Sequence, residues 1–153
     1  NRANEWKATY RAPYAAGELK AVGYEKGGKK SIFMLNTAAE ASKIVLQPDR
    51  YILNSDGQDL SFITVELQDD NGIRNPNAQN RITFEIEGTG EIVAVGSSNP
   101  RTTESFKQLN RNAWEGRCLV IVRSKQDTGI ISLNAKSEKL SAGTVEIKVK
   151  KIN

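Results

Sequence analysis

Apolar residues in this chain recur in short runs of strand length, separated by glycine, asparagine and aspartate turns. Nowhere do they take the three-to-four spacing of a long amphipathic helix. Residues 19–24 and 31–35 flank Gly27 and Gly28 and predict a hairpin. Residues 43–46 form a run that ends at Pro48, and 51–53 is a short piece before the polar turn 54–57. Over 60–67 the alternation places Leu60, Phe62, Thr64 and Glu66 on one face. Ser61, Ile63, Val65 and Leu67 lie on the other, which is the more continuous core candidate. Ile82, Phe84 and Ile86 point one way while Thr83 and Glu85 point the other. Gly88 and Gly90 turn the chain into 91–95.

After a long polar stretch, 96–116, the run 117–123 is apolar at every interior position and reads as a strand buried on both faces. Residues 131–135 and 144–149 close the series. About seven strands after residue 40, with turn signals every 8–12 residues, is the pattern of an all-β, immunoglobulin-like sandwich. Residues 36–42 are small and polar and predict a linker. The chain therefore divides at about residue 38. Residues 39–153 form the sandwich, and 1–38 hold too few strands to close one, since a segment that short rarely supports its own core. The first segment reads as the last strands of a preceding β-sandwich. Its open edges predict either self-association of the isolated chain or mobility of that segment.

Composition narrows the chemistry. The chain has 153 residues, 38% hydrophobic and 26% charged, which suits folded β-structure and argues against disorder. No apolar run approaches the roughly 18 residues of a membrane helix. Asn1 rather than Met opens the chain, and the first residues lack an export signal, so the sequence reads as a fragment or a processed form. Net charge is +4, with Lys and Arg scattered. Lys29 and Lys30 sit at one turn. Lys148 and Lys150 alternate with Val149 as charges on a wet strand face would. No basic stripe with interleaved aromatics predicts a nucleic-acid partner.

There is no histidine, which removes Ser-His-Asp and Cys-His catalysis and imidazole-ligated zinc. The one cysteine, Cys118, lies in an apolar run and reads as a small buried hydrophobe. No phosphate-cradling glycine loop occurs. Asp69, Asp70, Asn71 and Gly72 lack the ligand spacing of a calcium loop and predict a hairpin turn. No metal, cofactor or catalytic residue is predicted.

Several segments carry a resemblance. Gly17-Glu-Leu-Lys-Ala-Val-Gly-Tyr24, preceded by Trp6 and Tyr10, resembles the end of the β-sandwich that follows the catalytic barrel region in bacterial β-galactosidases of glycoside hydrolase family 2. Ala16 stands where proline is common there. Ile44-Val-Leu-Gln-Pro-Asp-Arg50 and the stretch 56–66 resemble the opening of the C-terminal domain of that family. Val95-Gly-Ser-Ser-Asn-Pro100, Glu104-Ser-Phe-Lys107, Arg111-Asn-Ala-Trp114 and the stretch 116–124 resemble its long loop and the strand after it. Here Gly96-Ser-Ser-Asn99 replaces the usual Gly-Asn-Gly pattern, and Trp114 replaces phenylalanine.

The resemblance implies that the parent hydrolyses terminal β-glycosidic bonds in the bacterial periplasm or outside the cell. It implies equally that the chemistry lies elsewhere. Retaining glycosidases need two carboxyl groups about 5–5.5 Å apart, held in this family on a barrel of about 250 residues, and the chain has no βα repeats. Asn4-Glu5 imitates the acid/base pair of those enzymes but has no barrel strand before it.

The expected role is a non-catalytic accessory domain that contacts other domains of the parent. A carbohydrate-binding module, stacking sugars on Trp6, Tyr10, Tyr14 or Trp114, is the first alternative. A free-standing adhesion domain is the second. For these aromatics, packing is the expected role. The 96–116 loop is expected either to be a structured crossover between the two sheets or to be ordered by Phe106, Leu109 and Trp114 folding back onto the sandwich. Asn99, Arg101, Arg111 and Arg117 would then present a positive surface outward. Asn99, Arg101, Arg111 and Trp114 are thus the candidate interdomain or carbohydrate contacts.

Overall fold

The computed structural model describes residues 7–151, apart from the side chain of Lys30. Two compact units divide the chain, Asn1–Thr37 and Ala38–Asn153. In the first, β1 (Glu18–Glu25) and β2 (Gly28–Asn36) form a two-stranded antiparallel sheet. Gly27 and Gly28 both take positive φ at its turn, which side-chain-bearing residues resist. Leu19 faces Leu35 and Ala21 faces Phe33 on one side of this ribbon, and Val22 faces Ile32 on the other. Apolar side chains thus stand on both of its faces, and Leu19, Ile32, Phe33 and Leu35 are exposed.

Among its described residues the second unit holds nine strands, β3–β11, in two sheets. β3 (Lys43–Pro48), β5 (Leu60–Gln68), β9 (Arg117–Ser124) and β7 (Gly90–Gly96) form a four-stranded sheet in that order. The other sheet has five strands, in the order β4 (Ile52–Asn54), β11 (Gly143–Lys150), β10 (Gly129–Lys136), β6 (Arg81–Gly88) and β8 (Asn110–Asn112). This is the immunoglobulin-like arrangement, with first, second, fifth and fourth major strands in one sheet and the rest in the other. The first strand is split. β3 runs antiparallel to β5, the chain turns after Pro48, and β4 changes sheets to pair in parallel with β11. Asp49 holds the switch by accepting from Ser61 Oγ at 3.0 Å and the Phe62 N–H at 2.9 Å.

The inner faces make one core. Ile63, Val65 and Leu67 of β5, Val120 and Val122 of β9, Ile82 and Phe84 of β6, and Ile131 and Leu133 of β10 are all buried. The alternation expected for 60–67 is therefore observed, Ser61 included. Lys148 and Lys150 point out of β11 around buried Val149. Cys118 is buried in the same core, and that burial pushes its thiol up to about 12, with the Arg111 charge pulling the other way.

Strand β9 departs from expectation. Cys118, Val120, Val122 and Ser124 are buried, but Leu119 and Ile121 on its other face are only half-buried. One face is covered, not two, because the second unit itself, among its described residues, places no layer over the outer side of its four-stranded sheet.

Turns are held by specific contacts. Asp69 is buried and accepts from the Ala39 N–H at 2.9 Å and the Ile73 N–H at 2.8 Å, tying the start of the unit to the turn after β5. Those two donors hold its carboxyl below the usual carboxylate range. Trp114 and Arg117 exchange backbone hydrogen bonds of 2.8 and 3.0 Å around Glu115 and Gly116, both at positive φ, the signature of a tight hairpin turn of type I′.

Two outcomes are expected. A Cβ at Gly116 would lie 2.2 Å from the Asn75 carbonyl oxygen, so Gly116→Ala should lower the urea midpoint by the equivalent of more than about 1 kcal/mol. Asp69 lies below its ordinary value of 3.8 in the folded state, so its contribution is complete above that pH and is lost as pH falls through the lower folded value. Thermal scans from about pH 5 down to about pH 2 should show falling stability, and Asp69→Asn should make that decline shallower. An unchanged slope would remove Asp69 from this role.

Candidate functional site

The segment between β7 and β9 is the least strand-like part of the sandwich and holds all four candidate contact residues. It starts as a turn. Pro100 occupies the second position of the bend, where its fixed φ is suited, the Thr102 N–H donates to the Asn99 carbonyl at 3.3 Å, and Asn99 Oδ1 accepts from the Arg101 N–H at 2.9 Å. Asn99 is half-buried and serves the turn. Arg101 is exposed.

From Glu104 the segment runs along the free edge of β7. The Val95 N–H donates to the Phe106 carbonyl at 2.8 Å, and Lys107 Nζ donates to the Val93 carbonyl at 3.1 Å. The chain then crosses to the other sheet, where the Leu109 carbonyl accepts from the Phe84 N–H at 2.8 Å and β8 pairs with β6 through Ile82 and Arg111.

Arg111 occupies the inward position of β8 and is 0% exposed. Its guanidinium reaches from one sheet to the edge of the other. Nη2 donates to the carbonyl oxygens of Val95 and, at 2.8 Å, Ser105; Nη1 donates to the Glu104 carbonyl at 3.3 Å and to Glu104 Oε2 at 3.4 Å. The Phe106 ring lies over it at 5.4 Å, within cation–π range. Glu104 also faces Arg81 at 3.7 Å, and Arg81 donates to Asn110 Oδ1.

These placements correct two expectations. Arg111 does not present a positive surface, because its charge is consumed between the sheets. The second is corrected in part: Phe106 does lie back on the sandwich, against Gly96 and over the Arg111 guanidinium, but neither it nor Leu109 is buried, at 58% and 51% exposed. What orders the segment is the buried cation acting on backbone carbonyls, with half-buried Trp114 closing its end. Arg117, also placed outward, is paired with Glu66 at 2.8 Å. Glu104 is the residue that sequence reasoning passed over as a partner for Arg111. Its spacing of seven from Arg111 would put the two on opposite faces of a strand, and no helical pattern covers the segment, so only the fold brings them together.

Of the aromatic candidates for sugar stacking, Tyr10 and Tyr14 are exposed in the first unit, Trp114 is half-buried in the second, and Trp6 lies outside the described residues, as do Asn4 and Glu5. A shallow cavity of about 590 Å³ is lined by Asn80, Arg81, Thr83, Lys136, Ser137 and Glu138, with no aromatic ring. Among the described residues, no three His, Cys, Asp or Glu side chains converge as metal ligands would. The Asp69–Gly72 segment is a turn, closed by the Gly72 N–H donating to the Asp69 carbonyl at 3.0 Å.

Residues 44–146 match the family model described as glycoside hydrolase family 2 C-terminal domain 5. The chain is 35% identical to β-galactosidase BoGH2A of Bacteroides ovatus over 94% of its length, and 31% identical to a β-galactosidase of Thermoanaerobacter pseudethanolicus over 88%. It spans only 17% and 16% of those proteins. Among solved structures, a glycosyl hydrolase family 2 member from Bacteroides cellulosilyticus superposes over 92% of this chain and 18% of its own, with a TM-score of 0.87 at 44% identity. A β-glycosidase from Bacteroides vulgatus does so over 90% of this chain and 18% of its own, with a TM-score of 0.85 at 25% identity.

Removing the buried cation should unpin the segment. Arg111→Ala is expected to cost about 3–5 kcal/mol in chemical denaturation, because Glu104 and three carbonyls lose their donor in a dry site. Arg111→Lys should recover little of this, since an ammonium cannot fork between both sides. Amide exchange in residues 97–109 should accelerate in both. A loss below about 1 kcal/mol would mean that the aromatic residues carry the segment after all.

Proposed function

The chain belongs to the glycoside hydrolase family 2 C-terminal domain 5 family, and from that premise we propose that it is a non-catalytic accessory region of a larger β-galactosidase-like enzyme. The observation that carries this reading is the purpose of the 96–116 segment. In this segment, which lies within the matched residues 44–146, the polar residues serve the fold: Asn99 makes a turn, Arg111 joins the sheets, and Glu104 balances the cation. The parent reaction is hydrolysis of terminal β-glycosidic bonds, a reading supported by the β-galactosidases to which the chain is similar.

The first unit fits the same picture as the closing hairpin of a preceding β-domain. A lone two-stranded ribbon is at best marginally stable in water. This one carries apolar side chains on both faces, as a ribbon does when further strands and a second sheet cover it. A carbohydrate-binding role has less support, because the cavity lined by Asn80, Arg81 and Lys136 lacks the aromatic platform on which sugar rings stack.

Assays on chromogenic β-galactosides test the proposal. Residues 1–153 alone should give no turnover above a blank, while the full-length polypeptide should be active. Turnover by the short chain that survives purification and is abolished by Glu5→Gln would overturn it.

A further inference from the structure

The two outer faces of the sandwich differ in character. On the five-stranded sheet most outward positions are polar: Thr83 and Glu85 of β6, Ser132 and Asn134 of β10, Glu146 and Lys148 of β11, with the two exposed apolar residues, Ile52 of β4 and Ile130 of β10, separated by Lys148. That is the composition of a sheet face that meets water. On the four-stranded sheet the middle of the outward face is apolar. Phe62 of β5 stands directly opposite Ile121 of β9, which stands opposite Ala94 of β7. In the next row Leu119 faces Gly96, where the missing side chain leaves room for the Phe106 ring, 3.1 Å from where a Cβ would be. Phe62 is 42% exposed and Phe106 more so.

This band is bounded along the strands by two ion pairs, Glu66 with Arg117 at one end and Glu91 with Arg123 at the other. An apolar centre with a charged rim is the anatomy of a protein interface. The unbroken apolar run of β9 has the same meaning. Its inner residues serve this core, and its outer residues, Leu119 and Ile121, have no cover in the second unit.

We propose that the outer face of the four-stranded sheet, centred on Phe62, Leu119 and Ile121, is the seat of another domain of the same polypeptide, from outside residues 1–153. This rests on the reading of the chain as part of a longer glycosidase. Two observations favour that occupant over a second copy. The chain spans 17% of the B. ovatus relative and 18% of the B. cellulosilyticus structure, so most of such a polypeptide lies elsewhere and is covalently tethered. The band is also small. Three strands and one ring at about 4.8 Å spacing, two residue rows deep, make on the order of 300 Å². A freely associating partner needs about 800 Å² per side. A tethered domain needs less, because its effective concentration is already in the millimolar range, and interfaces between domains of one chain begin at about 300 Å² per side.

Hydroxyl-radical footprinting of the full-length polypeptide tests this without any substitution. After correction for intrinsic reactivity, Phe62, Phe106 and Leu119 should be labelled at least fivefold more slowly than Tyr51 and Ile130, which are exposed elsewhere on the sandwich. Labelling equal to those references overturns the proposal. So does protection that fades on hundredfold dilution, which identifies a second copy, or protection that appears only with added galacto-oligosaccharide, which identifies a sugar. Activity of the same sample on a β-galactoside reads the functional assignment separately. An active enzyme with an open face would sink this inference and leave that assignment standing.

Discussion

Arg111 is a cation without solvent, and the side of the sandwich where the two sheets part depends on how it is accommodated. Its position on β8 fixes it to the five-stranded sheet, and its donors reach the edge of the four-stranded one. A buried guanidinium is costly unless its N–H groups and its charge are matched. Here backbone carbonyls of Val95, Glu104 and Ser105 take the Nη donors, Nε alone is left without a partner, and the Glu104 carboxylate and Phe106 ring offset the charge. Satisfying those demands leaves the 104–111 stretch one path. The cation therefore acts as a template for the segment that surrounds it.

The same contacts resolve a problem that sandwiches share. β7 is an outer strand of its sheet, and a bare strand edge invites pairing with other chains. The crossing segment uses its own backbone at Phe106, the Lys107 ammonium and the Arg111 guanidinium to occupy that edge before joining the other sheet as β8. The polar residues that look like a binding surface in one dimension are in three dimensions an edge cover.

Strand positions were legible because period-two alternation is a direct imprint of a face that meets the core. Ser61, Ile63, Val65 and Leu67 show it, with Ser61 tolerated inside because Asp49 accepts its hydroxyl. Partnership was less legible. Residues 82–86 and 91–95 look like a hairpin around Gly88 and Gly90, yet β6 pairs with β10 and β7 with β9, since a periodic pattern names a face and not a neighbour. β8 was invisible, being three polar residues whose inward one is arginine. The run 117–123 was read as doubly buried, and the half-covered Leu119 and Ile121 show that apolar pattern records every surface a strand must hide, including those that lie beyond its own sandwich.

Cys118 gives this architecture a clock. It is the only thiol in the chain, it is walled in by the inner faces of both sheets, and its elevated proton affinity leaves almost no thiolate at neutral pH. An alkylating reagent can reach it only in the brief intervals when β9 parts from the core. The rate of its capture therefore counts openings of the central strand, and the closed molecule is chemically silent between them.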